Sequence, residues 1–376
     1  MTRNAMELTN TAYGTWSGGR FMHFGETLEE DRFRECFRVA YEAGIRTFVT
    51  SDVYGNGRAD ALLGEALAGI DRSTYSLVGM LGHDFYAGQR QGSRGYPRFT
   101  DPELRAPEDY ESFLKMACEK SLERCRTDHF DLVMLHNPDE AGYTSEAVWQ
   151  AMAALKENGM GQRLGIAPGP ANGFTLDLVY AFEQFGSLID WAMLILSPLE
   201  PWPVGLTLPA AQQHGVKVMT RVVDHGGVFH DDLKPGHVFR PGDHRAYRPA
   251  GWVEHGLERT ERMRPIADKH GLTMLQLASV WNLSQPAVEC VVPTFVQEAG
   301  EGAKPIEEKI RDLAAMPNIR LSAEEIEAIR AIGDNTGCMM LKGASKRHET
   351  SERPDEWPMR PELAQLAERY ALGAEW

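Results

Sequence analysis

The chain is short of cysteine. It has five, Cys36, Cys118, Cys125, Cys290 and Cys338, an odd number with no CxxC spacing, which excludes a disulfide framework and a zinc ribbon. Reduced thiols in a reducing compartment are the expectation. No run of eighteen apolar residues occurs, and Met1-Thr2-Arg3-Asn4 opens no signal-peptide pattern, so a soluble cytoplasmic protein is expected. Basic residues are outnumbered, 39 Lys and Arg against 54 Asp and Glu, for a formal net charge of −15. That balance argues against nucleic acid or an anionic membrane as a partner. There is no Walker loop, no GxSxG and no GxGxxG after a strand. No His, Cys or carboxylate spacing is diagnostic of a metal, and none is expected, although His83, Asp84, His136, Asp224 and His225 are residue types that could supply ligands.

What is present is 376 residues, 43% of them hydrophobic, enough to bury a large core. From Thr47 to Thr50 a β-rich run meets the polar turn Asp52-Val53-Tyr54-Gly55-Asn56-Gly57, and a helix follows with Leu62, Leu63, Ala66 and Leu67 on one face. The pattern then recurs. Strands are predicted at Tyr75–Leu81, Phe130–His136, Gly161–Ala167, Leu188–Leu196, Val216–Val223 and Val288–Pro293. Helices are predicted at Glu30–Ala43, Glu108–Arg126, Ala147–Asn158, Leu206–His214, Glu254–His270 and Thr273–Leu283. Alternation without a break in composition predicts one parallel α/β barrel. Residues 10–24 read as a glycine-rich, aromatic loop. A second loop, Gly82 to Glu108, is long enough to expect a functional role. The tail, 337–376, is polar and proline-punctuated, with a short amphipathic helix expected near Glu362–Tyr370 and a basic turn at Lys342–Arg347.

The stretch GIRTFVTSDVYGNGRADALLGEAL, residues 44–67, resembles the aldo-keto reductase signature FDTADVYGxGxSExLLGxAL, and DHFDLVMLHNPD, residues 128–139, resembles the family's DYIDLYxLHxPD. The resemblance runs from about residue 10 to 335. It implies a (β/α)8 TIM barrel over residues 1–336, with the long loop after the second predicted strand and a C-terminal extension, 337–376, packing on or near the barrel. It also implies that Tyr54 is the catalytic acid and His136 its partner. Gly14-Thr15-Trp16 resembles the family's GTW loop beside the substrate, and Asp243-His244-Arg245 with Trp252 supports membership.

Departures from the pattern are concentrated at the strand ends. Val49 stands for the catalytic Asp and Met80 for the Lys that lowers the Tyr pKa. Ala167-Pro168 replaces the Ser-Asn pair that holds the nicotinamide amide, Met193 the Gln, and Arg221 the aromatic that stacks on the ring. Ala303–Lys309 lacks the Gln and Asn of the adenosine-phosphate segment. These losses lead to an expectation of redox-neutral acid–base chemistry (elimination, isomerisation or hydrolysis) on a small carbonyl or sugar-like compound, with no cofactor. NADP-dependent aldo/keto oxidoreduction is the alternative, and a non-catalytic sensor or interaction protein the third reading. Catalysis is assigned to Tyr54, His136, Arg221, Asp224 and His225, and substrate binding to Trp16, Asp52 and His83. For the Asp224-His225 pair a surface turn is the competing assignment. Association into a homo-oligomer is left open.

Overall fold

The computed structural model describes residues 7–92, 95–169, 175–201, 204–248, 250–333 and 361–369. Eight strands alternate with helices: β1 (Ala12–Gly14), α1 (Glu30–Ala43), β2 (Thr47–Ser51), α2 (Arg58–Ala66), β3 (Ser76–Leu81), α3 (Tyr110–Cys125), β4 (Leu132–His136), α4 (Glu140–Thr144), α5 (Glu146–Glu157) and β5 (Leu164–Ala167). They continue as α6 (Thr175–Phe185), β6 (Trp191–Ile195), α7 (Val204–Gln213), β7 (Lys217–Arg221), α8 (Trp252–His270), α9 (Met274–Leu283) and β8 (Val288–Val292). Helices α10 (Ile306–Ala314), α11 (Ala323–Gly333) and α12 (Pro361–Arg369) complete the described chain.

The strands pair in sequence order, every pair parallel. A bridge between Thr11 and Val291, with Val291 N–H donating to Asn10 O at 2.9 Å, brings the last strand back to the first. This is a (β/α)8 barrel. A strand walled on both sides is apolar throughout, which is why its sequence shows a run rather than an alternation. In β4, Leu132 and Met134 enter the cluster inside the barrel while Val133 and Leu135 join the layer beneath the helices. The inner cluster is Ala12, Trp16, Val49, Val78, Met80, Leu132, Met134, Ala167, Trp191, Met193, Met219, Cys290 and Val292. Helix α1 shows the outer logic: Glu30 and Asp31 favour its positive end, Phe33, Cys36, Phe37 and Ala40 bury one face, and left-handed Gly44 (φ 111°) stops it.

One strand differs from the sequence expectation. Residues 10–24 hold β1 as well as a loop; three residues are too few to show a period, and the hydrogen bonds to β2 decide it. The long loop therefore follows β3. The expected tail helix is present as α12, which lies against α6 with Arg369 on Glu183 at 2.7 Å. The basic turn Lys342–Arg347 lies outside the described residues. Among the described residues no helix is long and apolar enough to cross a membrane.

Candidate active site

The polar groups collect where β2, β4 and β7 end. Strand β2 delivers Ser51 inward and leads into the turn that carries Tyr54. Gly55 (φ 58°), Asn56 (φ 52°) and Gly57 (φ 90°) are all left-handed, a tight reversal that two glycines make accessible. Tyr54 N–H donates to Ser51 O at 3.1 Å and Ala59 N–H to Tyr54 O at 3.2 Å, so the turn holds Tyr54 at both ends. The ring packs on the inner cluster, of which Trp16 is a member; the indole lies over Gly14, where a Cβ would fall 2.5 Å from it.

His136 ends β4. Its ring stands edge-on to Tyr54, with centroids 5.7 Å apart and planes at 89°. Nδ1 is 2.9 Å from Ser51 Oγ. The chain leaving β3 passes so close that a Cβ on Gly82 would be 2.5 Å from His136 O. Burial holds His136 well below the usual imidazole range, and His83, Arg98 and Arg221 push the same way, so the ring is neutral.

Arg221 ends β7. Its Nη2 donates to Pro168 O at 3.1 Å and Gly169 O at 2.5 Å, above the end of β5. Its charge acts on Tyr54, but burial acts more strongly, and the phenol is pushed up to about 12. Arg221 is followed by a strained turn: Val222 (φ 60°) and His225 (φ 49°) are left-handed without being glycine.

Trp16, Tyr54, His136 and Arg221 are thus brought together. His83 backs the group, 5.2 Å from His136 ring to ring, but both its nitrogens are occupied. Asn137 Nδ2 is 3.2 Å from its Nε2, and Tyr96 O at 3.1 Å and Arg98 Nη1 at 3.0 Å both face its Nδ1. Its pKa falls to about 3, through burial first and Arg98 second. Three residues go elsewhere. Asp224 is wholly buried; Oδ1 accepts from Thr294 N–H at 2.7 Å and Oδ2 from Gly227 N–H at 2.8 Å, tying the loops after β7 and β8. His225 turns toward Trp252, with Arg248 Nη1 3.2 Å from its Nε2 and Glu200 3.7 Å from its Nδ1. Asp52 points to the helix side of the wall, next to Asp60, Arg124 and Tyr86, with no side-chain hydrogen bond to either carboxyl oxygen.

Sequence reasoning passes over Ser51, Arg98 and Glu200. Ser51 is recoverable by parity, since it follows inward-facing Val49 by two residues. Arg98 and Glu200 lie in loops, where no period marks them. Among the described residues no three His, Cys, Asp or Glu side chains converge on a metal-sized site.

The sequence of residues 11–334 matches the family described as the aldo/keto reductase family. The chain belongs to that family. Among curated proteins, this aldo-keto reductase is 24% identical over 339 residues to a probable voltage-gated potassium channel subunit beta of Oryza sativa subsp. japonica, covering 88% of this chain and 94% of that one. It is 25% identical over 307 residues to an uncharacterized oxidoreductase of Bacillus subtilis (strain 168), covering 81% and 88%. Its fold matches a glycerol dehydrogenase from Gluconobacter oxydans with a TM-score of 0.68 at 20% identity, covering 87% and 92%. It also matches an aldo/keto reductase from Klebsiella pneumoniae solved with NADP and acetate, with a TM-score of 0.59 at 20% identity over 87% and 92%.

In this aldo-keto reductase Ala167 and Met193 are buried and apolar. After β8, Lys309 is buried, paired with Asp232 at 2.6 Å and donating to Val296 O at 2.5 Å. Arg245 forks onto Glu298 at 2.5 and 3.0 Å and holds Asp243, whose Oδ2 also accepts from Gly25 N–H at 2.8 Å. The loops after β1, β7 and β8 are thereby fastened to one another.

Proposed function

We propose that this aldo-keto reductase is an NADP-dependent oxidoreductase acting on a small carbonyl compound bound between Tyr54 and His136. The observation that carries the reading is the edge-on pair of a protonated phenol and a neutral imidazole at the barrel mouth, with the Arg221 cation acting on both. The expectation of redox-neutral, cofactor-free chemistry gives way here: relatives are named oxidoreductases and fold neighbours are solved with NADP or NADPH.

NADPH, when bound, is the source of the hydride such a reduction needs. Tyr54 holds the proton that the carbonyl oxygen requires and donates it along a hydrogen bond to that oxygen. Arg221 stabilises the phenolate left behind, the part played in the family by the Lys that Met80 replaces. Trp16 supplies an apolar wall that keeps water from the carbonyl, and the 82–108 loop leans in through Tyr96, whose hydroxyl accepts from Asn56 Nδ2 at 2.9 Å. Asp224 serves as a staple between loops in this mechanism and His225 as a support for Glu200. Proton transfer without hydride is the second reading, favoured by the loss of polar side chains at Ala167 and Met193.

The test follows candidate keto-sugars by mass, with and without NADPH. Product gaining two hydrogens only with the nucleotide is expected; product of unchanged mass without it would replace the first reading by the second. A fluorescence titration is expected to give an NADPH dissociation constant above ~10 µM, since each lost hydrogen bond to the amide costs up to about tenfold.

A further inference from the structure

The inference here rests on the carbonyl reading, in which the Arg221 cation steadies the Tyr54 phenolate, and concerns what keeps that cation available. Arg221 makes no ion pair among the described residues; its Nη2 donates to the backbone carbonyls of Pro168 and Gly169. A carboxylate is nevertheless near. Strands β6 and β7 pair with Ile195 beside Arg221, and Leu196 N–H donates to Arg221 O at 3.3 Å. The chain then turns back, Glu200 N–H donating to Ser197 O at 2.9 Å and Ser197 N–H to Glu200 O at 3.4 Å. That turn returns Glu200 to the end of β6, where its charge bears on Arg221. Opposite charges so placed attract across several ångströms. The carboxylate lies instead against another group, with Oε2 3.7 Å from His225 Nδ1.

Which hydrogen His225 presents there is fixed by its other neighbour. Arg248 Nη1 stands 3.2 Å from His225 Nε2. A guanidinium can only donate, so Nε2 is the acceptor. Burial, with Arg248 and Arg259 adding to it, holds the ring well below the usual imidazole range, so it is neutral and carries a single N–H. That hydrogen is on Nδ1. It has no acceptor within hydrogen-bonding distance and faces Glu200. His225 is also left-handed without being glycine (φ 49°), a backbone conformation that persists only where its surroundings hold it.

We propose that His225 is a positioning residue: its Nδ1–H keeps the Glu200 carboxylate on its own side, so that Arg221 stays unpaired and free to act on Tyr54. Without that N–H, Glu200 closes on Arg221 and the phenolate loses part of the cation's effect. Glu200→Gln removes the competitor and acts in the opposite sense. The other charged or titratable groups in this field are Tyr54 and Tyr143 around Arg221, and Arg248 and Arg259 around His225.

The experiment reads the full chain in two ways. Crystal structures of the unmodified protein and of His225→Phe are expected to show Glu200 beside His225 in the first and within ion-pairing distance of Arg221, about 4 Å, in the second. Oxidation of 4-nitrobenzyl alcohol by NADP⁺ is measured beside them. Expected is a rate about tenfold lower for His225→Phe and a few-fold higher for Glu200→Gln at the same pH, since each changes the phenolate fraction. In the Glu200→Gln background His225→Phe is expected to change nothing, whereas structural damage would slow both backgrounds alike. Glu200 unmoved in His225→Phe, or an equal loss in both backgrounds, overturns the proposal. Should His225→Phe not fold, Glu200→Gln decides alone, and an unchanged oxidation rate overturns it. No turnover by the unmodified protein, of this alcohol or of 4-nitrobenzaldehyde with NADPH, counts against the carbonyl reading; the two crystal structures still decide whether His225 holds Glu200.

Discussion

The Tyr54 hydroxyl is under two opposed influences. Burial raises its pKa and Arg221 lowers it, and the value of about 12 shows that burial prevails. Tyr54 is therefore a donor at every physiological pH, and His136, held neutral, adds no titration of its own there. Reduction is expected to run at a flat rate from about pH 6 to 9, because neither group changes state in that range. Oxidation needs the phenolate, whose fraction grows about tenfold per pH unit below the pKa, so its rate should climb steadily over the same interval. Steady-state rates in both directions check this, and a bell-shaped reduction profile centred near neutrality would refute it. Arg221→Ala should lower kcat by about 10² while KM moves little, since the cation matters most when the phenolate forms. The sequence makes Tyr54 and His136 legible because each sits in a run of residues close to a known signature. Parity makes Ser51 legible as an inward-facing residue but not its partners, Met80 O and His136 Nδ1, which come from β3 and β4.

At the scale of elements, parity decides which neighbours share a site. In β2 and its exit, Val49 and Ser51 face inward while Thr50 and Asp52 face the helices, where Thr50 Oγ1 donates to Asp60 at 2.7 Å. The expectation that Asp52 touches substrate comes from its nearness to Tyr54 in sequence, and strand geometry separates the two. Burial drives the Asp52 carboxyl well above its ordinary value of 3.8, with Asp60 adding to the rise. The sign follows from that direction. A carboxyl that binds its proton more tightly when folded gives its full stability below the unfolded value and loses it as pH rises through the folded one. Asp52→Asn removes that loss, so the variant should gain on the unmodified protein as pH rises above about 4, at about 1.4 kcal/mol per pH unit until the folded pKa is passed. Thermal melting from pH 4 to 8 measures it, and a variant less stable throughout would show that the Asp52 carboxyl has a partner it needs. Other elements follow their sequence patterns closely: seven strands and the long helices fall within a few residues of expectation. Strand β1, too short for a period, requires its hydrogen-bonded neighbour to be recognised, and helices α4, α6, α10 and α11 have no counterpart in the sequence expectation.

For the whole molecule, the barrel is readable because strand and helix alternate without interruption from β2 onward, and eight parallel strands in order leave no other closed arrangement. How the loops after β1, β7 and β8 lock together is not readable, because Gly25, Asp243, Arg245 and Glu298 come from three distant places in the chain. Closure has a chemical consequence along the barrel axis, where Met80, Met134, Met193 and Met219 are each no more than 2% exposed. Thioethers react with peroxide only where peroxide reaches them, and sulfoxide is too polar for such an interior. Dilute hydrogen peroxide followed by peptide mapping should mark Met116, Met160 and Met316, which are only half-buried, long before any of those four. Once one of the four is oxidised the barrel should not reseal around it, so the later reaction would proceed as loss of whole folded molecules, at a rate equal to that of barrel opening.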